Sequence, residues 1–70
     1  MEMAAAALTP RESEIVRLTA QGLSTIEIAV RMFISIETVE NDQRRIARKL
    51  GAADVSQMVD RAVRDGIIDT

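Results

Sequence analysis

The sequence contains no cysteine, histidine, tryptophan or tyrosine, and Phe33 is its one aromatic residue. Without cysteine the chain has neither disulfide bonds nor thiol chemistry. Because most zinc sites use cysteine or histidine, a zinc site is not expected. We predict no metal and no cofactor. Catalysis is not expected either, since no histidine is present to activate Ser24 or Ser35 as a nucleophile. Readers of single-stranded nucleic acid are also disfavoured, because they usually stack bases on aromatic side chains.

Long apolar runs are also absent, since none approaches the roughly 20 residues that span a bilayer. Residues 1–7 are rich in alanine but contain Glu2 and no basic segment, so they do not resemble a signal peptide. We interpret them as a mobile leader, a remnant of cloning or an extra helical turn. The expected protein is soluble and cytoplasmic, with one domain over residues 8–70.

The charge balance is slightly acidic. The formal net charge is −2, from nine basic and eleven acidic residues. DNA-binding domains are usually basic on at least one face, so this sum counts against nucleic acid. The local distribution of charge nevertheless matters more than the sum. A domain of 70 residues buries only about 60% of its unfolded surface, so oligomerisation would help to stabilise it.

Signals for helix starts and stops recur along the chain, whereas no segment alternates with a period of two residues. Capping boxes are predicted where a serine or threonine precedes a glutamate by three residues, at Thr9 with Glu12 and at Ser24 with Glu27. The four predicted helices run from Pro10 to Gln21, from Thr25 to Met32, from Ile36 to Leu50 and from Val55 to Arg64.

The remaining signals mark the other helix ends. Ser35 is the predicted cap of the third helix, and Asp54 with Gln57 forms a third box-like start. Gly22 is predicted to end the first helix as a left-handed residue, and Gly51 and Gly66 are predicted to end the third and fourth helices. Ile67 and Ile68 are expected to fold back onto the core.

The third helix has two distinct faces. At 100° per residue, one face is an apolar stripe and the other is polar. The stripe comprises Ile36, Val39, Gln43, Ile46, Ala47 and Leu50, and the opposite row comprises Glu37, Asn41, Arg44 and Arg48. A short helix, a tight turn and a longer helix form a helix-turn-helix unit, whose second helix lies in the DNA major groove. The predicted fold class is therefore all-α.

Several short motifs resemble the LuxR/GerE-type (NarL/FixJ-like) helix-turn-helix family at the family's spacing. These are Leu8-Thr9-Pro10-Arg11-Glu12 with Glu14, Gly22-Leu23-Ser24, Glu27-Ile28-Ala29, Phe33-Ile34-Ser35, Thr38-Val39, Ile46 and Lys49-Leu50-Gly51. The resemblance implies a four-helix domain whose third helix enters the major groove and whose last helix commonly forms a two-fold dimer contact. It also implies a bacterial transcription regulator, of a kind often joined to a receiver or ligand-sensing domain.

The chain departs from the family pattern at positions that the resemblance places near DNA. The family often has lysine at the position of Ile26 and a polar residue at that of Val30. It usually has lysine or a small polar residue at Glu37, often a basic or polar residue at Glu40, and commonly histidine at Asp42.

Two interpretations of the third helix follow. In the first, the acidic residues stabilise the helix through its dipole by about 0.3–1 kcal/mol, and Glu40 pairs with Arg44 four residues on. In the second, the helix reads DNA, with Asn41 bonding adenine and Glu40 accepting a bond from cytosine. The start of the second helix would then hold phosphates. The predicted DNA-binding residues are Ser24, Thr25, Thr38, Glu40, Asn41, Arg44, Arg45 and Arg48.

Two apolar groups also have alternative interpretations. Ile26, Val30, Phe33 and Ile36 form an exposed patch for a protein partner, centred on Ile26 and Val30, or else Phe33 and Ile36 are buried and Ile26 alone is exposed. The stripe of the last helix, Val55, Met58, Val59 and Ala62, closes the core.

The resemblance to the family implies that Val55, Ser56 or Val59 also contacts a second subunit. The sequence thus predicts a double-stranded DNA-binding domain that dimerises through its last helix. The alternative is a helix-turn-helix scaffold that has lost DNA readout and serves as a protein-interaction module.

Overall fold

A computed structural model describes residues 8–66, which form four α-helices with no strand among them. The helices are α1 Pro10–Ala20, α2 Thr25–Met32, α3 Ile36–Lys49 and α4 Val55–Arg64. The all-α prediction is confirmed, and the predicted ends of the first and third helices are each one residue too long. The expectations for residues 1–7 and for the fold-back of Ile67 and Ile68 lie outside the described residues.

The first two helices begin at reciprocal capping boxes. Thr9 Oγ1 accepts a bond from the backbone N–H of Glu12 at 3.1 Å, and Glu12 Oε1 accepts one from the N–H of Thr9 at 3.0 Å. Ser24 and Glu27 form the same pair at 3.1 and 2.7 Å. Each box satisfies two N–H groups that the first helical turn leaves without partners, so both starts are determined by local sequence.

The start of α4 differs in one detail from its prediction. Asp54 Oδ1 accepts a bond from the N–H of Gln57 at 2.9 Å, as predicted. The side chain of Gln57, however, accepts its bond from the N–H of Ala53 at 3.0 Å rather than from that of Asp54. Gly51, just before this segment, has a φ of 69°, a conformation that glycine adopts without strain and that reverses the chain after α3.

The core lies around α3, which packs against each of the other three helices. Apolar side chains from all four helices and from Leu50 fill it. They are Ile15, Val16, Leu18, Ile28, Ala29, Val39, Ile46, Leu50, Met58 and Ala62. Because these contacts cover only one side of α3, its polar row stays at the surface.

The turn between α2 and α3 contains the one non-glycine residue with positive φ among residues 8–66. Phe33 has φ 58° and ψ 42°, a left-handed conformation that costs such a residue about 1 kcal/mol. The N–H of Ile34 bonds the carbonyl of Ala29 at 3.1 Å and closes α2. The alternative that buried both Phe33 and Ile36 is wrong, because their exposed fractions are 95% and 43%. Phe33 in the turn and Ile36 at the start of α3 therefore both face solvent.

Candidate nucleic-acid interface

The polar row of α3 comprises Glu37, Asn41, Arg44 and Arg48, and all four residues are exposed. We call it the exposed row. Arg44 Nη2 donates a hydrogen bond to Asn41 Oδ1. This bond occupies one carbonyl lone pair of Asn41 and leaves its amide nitrogen to donate elsewhere. Arg44 thus bonds a member of its own row and does not form the predicted bond with Glu40, which is also exposed.

One flank of the exposed row borders an open groove. Its lining includes Thr25 from α2, Glu40, Arg44 and Arg48 from α3, and Val55 from α4. The structure therefore brings together four of the predicted DNA-binding residues from two helices. The groove places two arginines beside the start of α2, where backbone N–H groups favour an anion.

Ser24, which was predicted with Thr25 to hold phosphate, has its polar groups bonded within its own helix start. Its hydroxyl oxygen accepts the bond from Glu27, and its own N–H donates to the Glu27 carboxylate. Both groups are therefore engaged in the capping box. The N–H groups of Thr25 and Ile26 are the next two of the first turn, and intrahelical bonds cannot satisfy them.

The other flank of the exposed row faces α1 and holds Thr38 and Arg45. The hydroxyls of Thr38 and Ser35 share a hydrogen bond of 2.8 Å. Arg45 Nη1 donates to Asp42 Oδ1 at 3.0 Å, while the Arg45 side chain stays 56% exposed. The predicted DNA-binding residues thus lie on two flanks and on the row between them.

Asp42, at a position that the family resemblance places near DNA, does not lie on the surface. Its side chain is only 2% exposed, and it bonds Arg11 at the start of α1 as well as Arg45. Asp42 Oδ2 accepts bonds from Arg11 Nε at 2.8 Å and from Arg11 Nη2 at 2.6 Å. The acidic character of α3 at its surface therefore comes from Glu37 and Glu40, and Asp42 instead ties α3 to α1.

A second ion pair joins the same two helices. Lys49 Nζ donates to Glu12 Oε1 at 2.7 Å, and Arg45 Nη1 lies 3.9 Å from Glu12 Oε2. Burial raises the pKa of the Glu12 carboxyl, but three influences together lower that pKa below its ordinary value. They are the bond from Lys49, the bond from the Thr9 N–H, and the charges of Lys49 and Arg45. Glu12 is therefore a capping group and a buried anion at once.

The predicted dimer residues differ in exposure. Val55 is 40% exposed and Ser56 is exposed, whereas Val59 is partly buried and packs against the core. Val63, which was not predicted, is 37% exposed. The three valines recur every fourth residue, so they lie along one side of α4. Helical spacing could have identified Val63 as a further apolar residue on this side of α4.

The apolar patch of α2 is exposed. Ile26 is 59% and Val30 70% exposed, and Phe33 in the following turn and Ile36 at the start of α3 are exposed as well. Ile26 and Val30 also line a shallow surface groove with Gly22 and Leu23. An exposed apolar surface of this kind is typical of an interaction site.

Two further findings concern the described part of the chain. Within residues 8–66, no three acidic side chains cluster in a way that could hold a metal ion. No helix in the same range is long and apolar enough to cross a membrane.

The four helices, the short turn between α2 and α3 and the exposed row of α3 define a helix-turn-helix domain of the type found in transcription regulators. The chain belongs to the luxR family of bacterial regulatory proteins, whose GerE model matches residues 6–62. The predicted resemblance is confirmed, and since the family consists of regulators the chain is not an enzyme.

Known relatives agree with this assignment. A solved structure of the transcription factor GerE superimposes with a TM-score of 0.85 at 35% identity, covering 89% of this chain and 92% of GerE. A candidate HTH-type transcriptional regulator of Mycobacterium bovis is 46% identical over 84% of this chain. The oxygen regulatory protein NreC of Staphylococcus aureus is 36% identical over 89% of it. The match spans 7% of the length of the Mycobacterium protein and 29% of that of NreC.

Proposed function

We propose that the chain is a double-stranded DNA-binding domain of a bacterial transcription regulator, with α3 in the major groove and α2 across the backbone. The observation that carries this proposal is the exposed row of α3, where Arg44 and Arg48 stand beside the start of α2 in one open groove. Such a row can reach base edges while the N–H groups of α2 contact phosphate. This function requires the cytoplasm, where bacterial DNA lies.

The residues divide by the groups they would contact. Asn41 would donate from its amide nitrogen to a base edge, since Arg44 already bonds its oxygen. Arg44 and Arg48 would contact guanine or phosphate. Thr25 would hold a phosphate on the groove side, and Thr38 and Arg45 would do so on the other.

The exposed acids shape selectivity. Glu37 and Glu40 are exposed beside the arginines, so they repel phosphate and weaken binding to arbitrary sequences. Glu40 can offset this repulsion where it accepts a bond from the amino group of cytosine. We therefore propose a domain that binds selected sequences and has low affinity for non-specific DNA.

The test is selection from a randomised duplex library at low salt, followed by sequencing of the bound fraction. An enriched motif supports the proposal. Low salt strengthens electrostatic binding, so a library without enrichment under these conditions counts against DNA readout. That result would favour a second candidate, a protein-interaction module. The exposure of Ile26, Val30 and Phe33 is the observation that supports it.

Dimerisation through α4 belongs to the same proposal. The support is the side of α4 that carries Val55, Val59 and Val63, with Ser56 next to it. This row of three valines suits a two-fold contact, in which the same patch of each subunit meets its copy. In that case the enriched motif would be a palindrome, and its half-site spacing would report the dimer geometry.

Val55→Asp is expected to convert the dimer into monomers, because the change would bury a carboxylate in the subunit contact. Val55 is 40% exposed, so the fold of the monomer should tolerate the change, which circular dichroism can verify. Sedimentation equilibrium of both proteins measures the effect. The matched control is Val30→Asp, at a site 70% exposed on α2. A Val55→Asp protein that still sediments as a dimer would place the contact elsewhere.

A further inference from the structure

We infer that Arg11 and Arg45, both held by the buried carboxylate of Asp42, bind a backbone phosphate of DNA on the α1 side of α3. Arg11 is then a phosphate-binding residue outside the helix-turn-helix unit, and Asp42 is a positioning residue for both arginines. The inference rests on the proposed DNA-binding function and extends its contact surface to α1.

The geometry fixes both guanidinium groups. Asp42 Oδ2 accepts two bonds from Arg11, at 2.8 and 2.6 Å, and Oδ1 accepts one from Arg45 at 3.0 Å. A mobile arginine side chain loses rotamer entropy when it binds an anion, but Asp42 already holds these two side chains in place. The bonds to Asp42 use only part of each group's donors, and the Arg11 and Arg45 side chains remain 50% and 56% exposed. Donors therefore remain available to an anion from solvent.

Arg11, Arg45, Lys49, Asp42 and Glu12 form one cluster of charges, in which the acids and the bases differ in depth. The acids lie inside, with the side chains of Asp42 2% and Glu12 5% exposed. The bases lie outside, since Lys49 is 31% exposed and the two arginines more so. Three positive side chains thus surround two buried carboxylates. An approaching phosphate meets the positive groups first, although the chain as a whole carries a net charge of −2.

The position of the cluster suits the second DNA strand. A helix in the major groove lies between two phosphate backbones. The groove with Thr25, Arg44 and Arg48 flanks the exposed row on one side. Arg45 and Thr38, seven residues apart on α3, lie on the opposite side towards Arg11. One flank would contact each strand, so the α1 flank would help to set the docking angle of α3.

The alternative is that the cluster only joins α1 to α3, and the salt dependence of binding separates the two. Arg11→Gln keeps a side-chain donor for Asp42 but removes the charge. With the duplex selected above, we expect Arg11→Gln to lower the slope of log affinity against log salt by about 0.9 relative to the wild type. Its affinity should fall about fivefold. Arg17→Gln, in the same helix and paired with Glu14, is the matched control and should change neither quantity.

Asp42→Asn gives an independent test of positioning. If only the net charge mattered, removing the Asp42 carboxylate would tighten DNA binding. If Asp42 holds Arg11 and Arg45 in place, its removal should instead weaken binding and reduce the salt slope. If Arg11→Gln fails to fold by circular dichroism, Arg45→Gln replaces it.

An Arg11→Gln slope equal to that of Arg17→Gln, or tighter binding by Asp42→Asn, overturns this inference alone. Wild-type protein that binds no duplex at low salt overturns the proposed function and this inference with it.

Discussion

Replacing both Arg44 and Arg48 with alanine is expected to weaken DNA binding on the order of 100-fold, since each charge-assisted contact contributes about 1.5 kcal/mol. Both side chains are exposed on the row of α3 that faces away from the core. The fold should therefore survive, and circular dichroism should be unchanged. Fluorescence anisotropy with the selected duplex over a range of salt concentrations measures the loss.

The same titrations distinguish the two kinds of contact. An arginine bound to phosphate lowers the salt slope by about 0.9 when it is removed and weakens all sequences alike. An arginine bound to guanine relaxes the preference at one base pair instead. Arg64→Ala, in the last turn of α4, removes the same charge from a side chain 69% exposed and is the control. If the double variant binds like this control, α3 does not contact DNA through these residues.

Glu12→Gln is expected to lower the free energy of unfolding at neutral pH by about 2 kcal/mol, the value of a charge-assisted hydrogen bond. Glutamine can still fill the capping-box position, so the bond with the Thr9 N–H can persist. What is lost is the charge that Lys49 and Arg45 face. For a domain of this size, which is marginally stable, the loss is a large share of the total. Urea unfolding followed by circular dichroism measures it.

The pH dependence of this effect has a defined sign. Since the pKa of Glu12 is lower in the folded protein than its ordinary value, the ionised carboxylate stabilises the fold above the unfolded pKa of about 4.3. The wild type should lose this advantage as the pH falls from there towards the folded pKa, while Glu12→Gln should not. Glu14→Gln breaks an exposed pair in the same helix and should cost at most about 0.5 kcal/mol. A Glu12→Gln protein as stable as Glu14→Gln would show that the buried charge contributes nothing.

Local sequence alone predicted most of the helix ends. The reciprocal bonds of Thr9 with Glu12 and of Ser24 with Glu27 span three residues each, so residue type and spacing decide them. The exposed row of α3 also followed from helical periodicity, because a helix with one buried stripe must expose its opposite side. The family could be predicted for the same reason, since its motifs are these caps, turns and apolar positions.

The partners of the charged side chains required the tertiary structure. Asp42 and Arg11 are separated by 31 residues, and Lys49 and Glu12 by 37. Helical periodicity says which side of α3 carries Asp42, but only the packing of α1 against α3 buries it beside an arginine.

The exposure of Phe33 likewise depends on a left-handed backbone conformation that residue type disfavours. The sequence by itself determined the helices, their caps and the row that α3 presents to solvent, because these depend on neighbours along the chain. The tertiary structure decided which charges are buried and which remain to meet a partner, because burial depends on residues that only folding brings together.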